Sequence, residues 1–444
     1  MSQQQRIFLW SITAALGGFL FGFDTAVISG VEQSLQELWQ LSVWEHGLTV
    51  SMALFGTVLG AMLGGIPAER YGRRKTLFWI AVLYLVSSLG TSLAVDWSVF
   101  LVFRFLGGLG VGASSVAAPM YITEISPARS RGRLVALFQF NVVLGILIAY
   151  LSNYLLQNAG DAAWRWMLGV QAIPSLLFLL AVLLIPESPR WLLLRAGRVE
   201  EAREVLQLID ADHYEDTLDA LRYTAEQQTL SQQPARLFSA RYKVPVMLAV
   251  LFAVFNQVSG INAIIYYAPR IFEMTGLGKS SALLSSAGIG VINLLFTLLA
   301  MNLIDRFGRR TLMFIGSLGL IATLGLVARA FYVHDFGGMS VPVLLFVYIA
   351  FFAFSQGGVI WVFISEIFPN EVRANGQALG SFTHWLMAAV ITFAFPYFAE
   401  KLGGAYTFLF FCLMMVLQLV FVWKWMPETK GTSLEQVGKT FVVH

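Results

Sequence analysis

Two ionisable side chains sit deep inside otherwise apolar runs of this chain. Asp24 lies late in the run 7–30, and Arg104 lies early in the run 97–121. If successive runs cross a membrane in alternating directions, a rise of about 1.5 Å per residue puts Asp24 roughly 9 Å and Arg104 roughly 10 Å from the same face. At that depth an ionised group costs at least a few kcal/mol unless it is paired, so the economical arrangement has the two facing each other. Such a pair is either a static bridge between two helices or a switch. In the second case a proton on Asp24 cancels the attraction, releases Arg104 and couples proton uptake to a change of shape.

A second constellation is neutral. The run Asn256-Gln257-Val258-Ser259-Gly260-Ile261-Asn262-Ala263-Ile264-Ile265-Tyr266-Tyr267 places amides within an apolar segment. Ser259 and Gly260 should interrupt the helix there. Gln139, Asn293, Trp361 and Trp385 stand in other apolar runs. Amides bond hydroxyl groups in both directions, and an indole face covers the C–H side of a sugar ring. The inventory therefore suits an uncharged, polyhydroxylated ligand. A charged substrate would call for a buried counter-charge, which the second half does not supply. No nucleophile and base with usable spacing and no metal cluster is found, so neither an enzyme, a cofactor nor a bound metal is expected. The run Gly107-Gly108-Leu109-Gly110-Val111-Gly112 superficially matches a phosphate loop, but no strand precedes it, and small residues there let helices approach closely.

These residues need a membrane fold to hold them. Hydrophobic residues make up 57% of the 444 and charged ones 12%, outside the range of a soluble domain. Twelve apolar runs are long enough to span a bilayer: 7–30, 45–67, 76–95, 97–121, 133–156, 166–186, 243–272, 280–304, 311–333, 342–368, 374–398 and 404–426. The lone cysteine, Cys412, excludes an intrachain disulfide. Three motifs recur about 240 residues apart in the same order, as expected of a duplicated membrane half. Glu69-Arg70-Tyr71-Gly72-Arg73-Arg74 returns as Asp305-Arg306-Phe307-Gly308-Arg309-Arg310. Glu124-Ile125-Ser126-Pro127 returns as Glu366-Ile367-Phe368-Pro369, and Pro186-Glu187-Ser188 as Pro427-Glu428-Thr429. The arrangement predicts an all-α membrane protein with a six-helix bundle at 1–186, a cytoplasmic helical linker at 187–242, a second bundle at 243–426 and a cytoplasmic tail at 427–444. Gly72 and Gly308 suit turns closed to other residues. Arg73 and Arg309 are expected to pair with Glu124, Glu187, Glu366 or Glu428 where the two bundles meet on the cytoplasmic side, and so to act as a gate.

All but Arg104, Arg165, Arg270, Lys279, Arg329 and Lys401 of the 29 Lys and Arg residues fall in alternate loops or at the termini. That asymmetry puts both termini in the cytoplasm. The net charge of +3 thus reflects topology and gives no reason to expect nucleic acid. No cleavable signal peptide is evident. The absence of any Asn-x-Ser/Thr site leans towards a bacterial inner membrane.

Taken together, Phe21-Gly22-Phe23-Asp24-Thr25-Ala26-Val27-Ile28-Ser29-Gly30, Arg70 to Arg74, Pro186-Glu187-Ser188-Pro189-Arg190, Gln257 to Tyr267, Trp361 to Pro369 and Pro427-Glu428-Thr429-Lys430-Gly431 resemble the sugar porters of the major facilitator superfamily. The resemblance covers nearly the whole chain. It implies twelve helices in two pseudo-symmetric bundles and alternating access around a sugar site. It also implies that Gln139, Gln257, Asn262, Asn293 and Trp361 contact sugar, with Phe21, Ile146, Asn256, His384 and Trp385 completing the site. Tyr266 and Tyr267 would help close the outer gate. Asp24 and Arg104 resemble the coupling pair of proton-driven bacterial members, where passive animal glucose facilitators tend to carry Asn at the Asp24 position. Several positions depart from the pattern: Asn256 replaces a glutamine, His384 an amide and Glu69 an aspartate, while Ile146 resembles glucose facilitators rather than a xylose symporter. The expected function is proton-coupled symport of a monosaccharide, an aldohexose such as glucose, by a monomer in a lipid bilayer. The alternatives are passive uniport and a non-transporting sugar sensor, the latter disfavoured by the short tail.

Overall fold

The computed structural model describes residues 2–127, 130–230, 237–337, 339–369 and 371–430, apart from the side chains of 224–230 and Asp305. Twelve helices in it are long and apolar enough to cross a membrane. They are Gln3–Gly30, Val43–Leu63, Arg73–Ser92, Trp97–Ile125, Arg131–Leu156, Ala163–Val182, Ala240–Met274, Lys279–Ile304, Arg309–Val333, Ser340–Glu366, Arg373–Lys401 and Gly403–Lys424. Each coincides with one expected run to within a few residues, and no strand occurs among the described residues. Lipid dictates this outcome, because a helix satisfies its backbone groups within its own segment.

Contacts group the chain into two compact units: Met1–Asp24, Gly56–Ile146 and Arg165–Pro234 in one, and Thr25–Phe55, Leu147–Trp164 and Ala235–His444 in the other. The partition falls within the stretch 187–242 and also cuts the first, second and fifth spans part-way along their length and the sixth near its start. Within the first unit, the Gly107–Gly112 run is a packing surface. A Cβ on Gly112 would fall 2.2 Å from the Thr57 carbonyl oxygen, and one on Gly60 would fall 2.3 Å from that of Leu109. The second and fourth spans therefore approach backbone to backbone.

After the sixth span come the helices Pro189–Leu194, Val199–Ile209 and Tyr214–Leu230. Ser188 caps the first of them, accepting from the Trp191 N–H. In the next, the helical spacing predicts a stripe of Val199, Ala202, Val205, Leu206 and Ile209, of which all are buried but Val199, which is half-buried. The tail beyond Lys430 lies outside the described residues.

Candidate transport site

The first unit holds the charged pair. Asp24 and Arg104 are 2% and 1% exposed, and Arg104 Nη1 reaches Asp24 Oδ1 at 2.9 Å. Nη2 donates at 3.4 Å to the Asp24 backbone carbonyl, while the buried Nε has no hydrogen-bond partner among the described residues. The bridge uses one carboxylate oxygen and leaves a guanidinium N–H unsatisfied, so it is less tightly held than a two-toothed fork. Gly107 makes room for Ser87, whose Oγ would lie 2.4 Å from a Cβ there, while Asp24 Oδ1 would stand at ordinary contact distance, 3.5 Å. Phe21, Gln139 and Ile146 belong to the same unit. Ile146 is buried, and Phe21 and Gln139 are half-buried.

The second unit holds the neutral set. Its seventh span breaks as the sequence suggests: helix Lys243–Gln257 ends, Gly260 takes φ +87°, and Ile261–Met274 resumes. No side chain fits at Gly260, since a Cβ there would lie 2.6 Å from the Phe411 ring. The break brings Gln257 and Asn262 together, with Asn262 Nδ2 donating to Gln257 Oε1 at 2.6 Å. Gln257 Nε2 donates to Asn256 Oδ1 at 3.0 Å and lies 3.2 Å from the His384 ring nitrogens. His384 in turn lies 4.8 Å from both the Trp361 and Trp385 ring centroids. Trp361 remains 37% exposed, so this aromatic wall has an open face. Asn293 is half-buried in the eighth span, where its Oδ1 accepts from Thr297 at 3.5 Å, and among the described residues no hydrogen bond joins it to this network.

Three contributors escaped the sequence reading. Asn256 Nδ2 donates at 3.2 Å to the carbonyl of Gln356, which sits in a single π-helical turn, Ala353–Gly357. Such turns expose backbone groups that an α-helix would consume. The sequence did signal it, as Ser355-Gln356-Gly357-Gly358 is a polar interruption of the tenth span. Tyr348 donates to the Ser259 carbonyl at 2.9 Å, pinning the break. Finally, Pro269 lacks the N–H that would reach the Ile265 carbonyl, and Tyr150 Oη supplies that bond at 2.7 Å. Tyr266 and Tyr267 on the same helix are buried, and Tyr267 Oη donates to the Thr392 carbonyl at 3.1 Å.

The basic loops repeat atom for atom. Arg73 forks onto Glu124 with Nε–Oε2 and Nη2–Oε1 both at 2.8 Å, and its backbone N–H donates at 2.8 Å to Glu187. Arg309 forks onto Glu366 at 3.1 and 2.8 Å, and its N–H donates at 2.9 Å to Glu428. Ser188 donates to Glu124 as Thr429 does to Glu366. Gly72 and Gly308 have φ of +101° and +86°, and a Cβ on either would collide with the Glu187 or Glu428 carboxylate. Burial pushes the Glu187 carboxyl up, and the N–H groups of Ser188, Arg74 and Arg73 offset this only in part. Arg73 and Arg309 thus meet carboxylates expected of them, Glu124 with Glu187 and Glu366 with Glu428, and these contacts lie inside one unit in each case. The physical reason is local, since the three motifs of a half already converge at the ends of its own helices.

The sugar transporter family model, described as sugar (and other) transporter, matches residues 10–441. The arabinose-proton symporter of Bacillus subtilis is 36% identical, over 98% of this chain and 95% of that one. The glucose transport protein of Synechocystis is 37% identical over 97% of each chain. Among solved structures, the inward-open conformation of the xylose transporter XylE from Escherichia coli superposes with a TM-score of 0.87 at 33% identity, covering 98% of this chain and 99% of that one. Those relatives are transporters rather than enzymes. With twelve spans, twin basic corners and a match over nearly its full length, the chain belongs to the sugar porter family of the major facilitator superfamily.

Proposed function

We propose that this chain is a proton-coupled monosaccharide symporter of a bacterial inner membrane, working as a monomer by alternating access with both termini in the cytoplasm. The bundles 1–186 and 243–426 are the moving bodies and 187–242 the linker between them. The observation that carries this reading is the division of polar chemistry. One titratable pair, Asp24–Arg104, is buried in one unit, and a neutral amide, imidazole and indole network is built around a broken helix in the other. A proton taken up by the Asp24 carboxylate removes its charge, and the single-toothed contact to Arg104 weakens. Gln257, Asn262, Asn256, Asn293 and Gln139 serve sugar hydroxyls, Trp361, Trp385 and His384 cover the ring, and Phe21 and Ile146 give apolar contact.

We assign an aldohexose such as glucose as substrate, supported by Ile146, which offers no hydrogen bond where an amide would. The relatives named for arabinose and xylose make those pentoses the competing arms of the test. Cells expressing only this transporter should alkalinise the medium when glucose is added. Alkalinisation with xylose or arabinose alone would reassign the substrate. Uptake with no pH change, insensitive to a protonophore, would make the protein a passive uniporter.

A further inference from the structure

The helix Ile261–Met274 carries a second buried charge cluster at its far end, away from the amides. Glu32 begins the short helix Glu32–Leu38 just after the first span, and it is fully buried. Arg270 forks onto it, with Nε–Oε1 and Nη2–Oε2 both at 2.9 Å, and also donates at 2.6 Å to Gln36. His46, at the start of the second span, places Nε2 2.8 Å from the same carboxylate. All of these residues belong to one compact unit.

A carboxylate with no exposure needs a reason to be there, because a helix-packing residue would be cheaper to bury. We propose that Glu32, Arg270 and His46 form a latch that holds the helix Ile261–Met274 against the ends of the first and second spans, on the side opposite the basic loops. The proposal rests on the reading of Tyr266 and Tyr267 as gate residues and extends it to the charges that hold the gate. Three observations favour a latch over a fixed staple. First, the three side chains come from three separate elements, and the one carrying Arg270 follows the Gly260 break and is kinked at Tyr267, whose φ of −119° is not helical. Second, the cluster adjoins one of the gate residues, since the His46 and Tyr267 ring centroids lie 5.9 Å apart. Third, the pair has a wet edge: Arg270 is 27% exposed, and an open cleft lined by Gln33, Gln36, Glu37, Arg270, Glu273 and Met274 adjoins it. Both partners can pass into water on separation, which lowers the cost of opening compared with a fully enclosed bridge.

The test places a single reporter, Val258→Cys, at the buried helix break in a Cys412→Ser background. A membrane-impermeant thiol reagent is applied from the side opposite the basic loops. Glu32→Gln and Arg270→Gln should each speed labelling about 5- to 30-fold, the population shift expected when a state is unlatched. The double variant should label no faster than either single one. Tyr266→Ala is the parallel arm. If it speeds labelling and the Glu32 and Arg270 variants do not, the gate stands and the latch falls; if none of the three does, both fall. The pair Glu32→Cys/Arg270→Cys gives a second readout that leaves no unpartnered charge. Bridging the two thiols with a short, reducible bifunctional thiol reagent should stop transport and reduction should restore it, whereas transport unaffected by the closed bridge would overturn the latch.

Discussion

The two halves of this chain are near copies at their basic corners and strangers midway along their helices. At the corners Arg73, Glu124, Glu187 and Ser188 are matched by Arg309, Glu366, Glu428 and Thr429, down to which nitrogen meets which oxygen. Midway, the first half buries an ion pair and the second a set of neutral amides and rings. The corners answer a problem both halves share, which is to close helix ends around a tight glycine turn. On the function proposed above, the middles would answer different problems, taking up a proton and recognising hydroxyl groups. A repeated frame thus carries different side chains at a few mid-helix positions.

The largest effect should come from neutralising the charged middle. Asp24→Asn imitates the protonated carboxyl, so concentrative uptake should vanish while exchange of sugar down its gradient survives. Counterflow and protonophore-sensitive accumulation in vesicles measure the two separately. Accumulation that persists would make the pair a static bridge and erase the functional contrast between the halves.

Breaking the corners should instead damage the fold. Arg73→Ala leaves the Glu124 carboxylate, only 6% exposed, without its fork, and a buried pair broken on one side costs about 3–5 kcal/mol. Arg309→Ala should cost less, because Glu366 is 22% exposed and water can take over part of the solvation. Thermal unfolding in detergent tests the order. Equal and negligible losses would say that the corners matter for gating alone, which labelling from the basic side would then reveal.

A smaller loss is expected from the neutral middle. Gln257→Ala should weaken sugar binding by roughly 1–3 kcal/mol, about 5- to 150-fold in Kd, because hydroxyls and the amide of Asn262 lose a partner. The folded fraction should stay the same, and calorimetry with glucose reads the affinity. An unchanged Kd would move the site away from the seventh span.

How much of this was legible before the structure follows the same divide. The twelve spans were readable because length and apolarity alone decide whether a segment crosses a bilayer. The Asp24–Arg104 pairing was readable because an ion at depth has few ways to be tolerated. The corner motifs declared themselves by repetition, but repetition tells which motifs are equivalent and not which of them fold together, so the sequence left open which of Glu124, Glu187, Glu366 and Glu428 each arginine meets. The latch was hidden for another reason. Glu32 and Arg270 are 238 residues apart, Glu32 falls in a polar stretch that reads as a loop, and only the kinked course of the seventh span brings them together. Tyr150 was equally silent, since its role is created by the carbonyl that Pro269 leaves open.

The least conspicuous outcome concerns acid, and it separates the two buried carboxylates that carry the argument. Burial alone would raise the Glu32 carboxyl, but the contact from His46 and the charge of Arg270 outweigh it and hold it below the ordinary carboxylate value. A carboxylate depressed in the folded state contributes stability above its unfolded pKa and loses it only as pH falls through the lower folded value. Glu32 therefore stays ionised through neutral and mildly acid conditions, with Arg270, His46, Tyr267 and Glu273 around it. Acidifying the side opposite the basic loops from about pH 7.5 to about pH 5.5 should leave labelling of Val258→Cys in an Asp24→Asn background unchanged to within about 2-fold, once corrected with an exposed cysteine for the reagent's own pH dependence. Transport over the same range should keep its acid stimulation in Glu32→Gln and lose it in Asp24→Asn. If acid does speed labelling, the latch is pH-sensitive and proton response is not confined to the first half's middle.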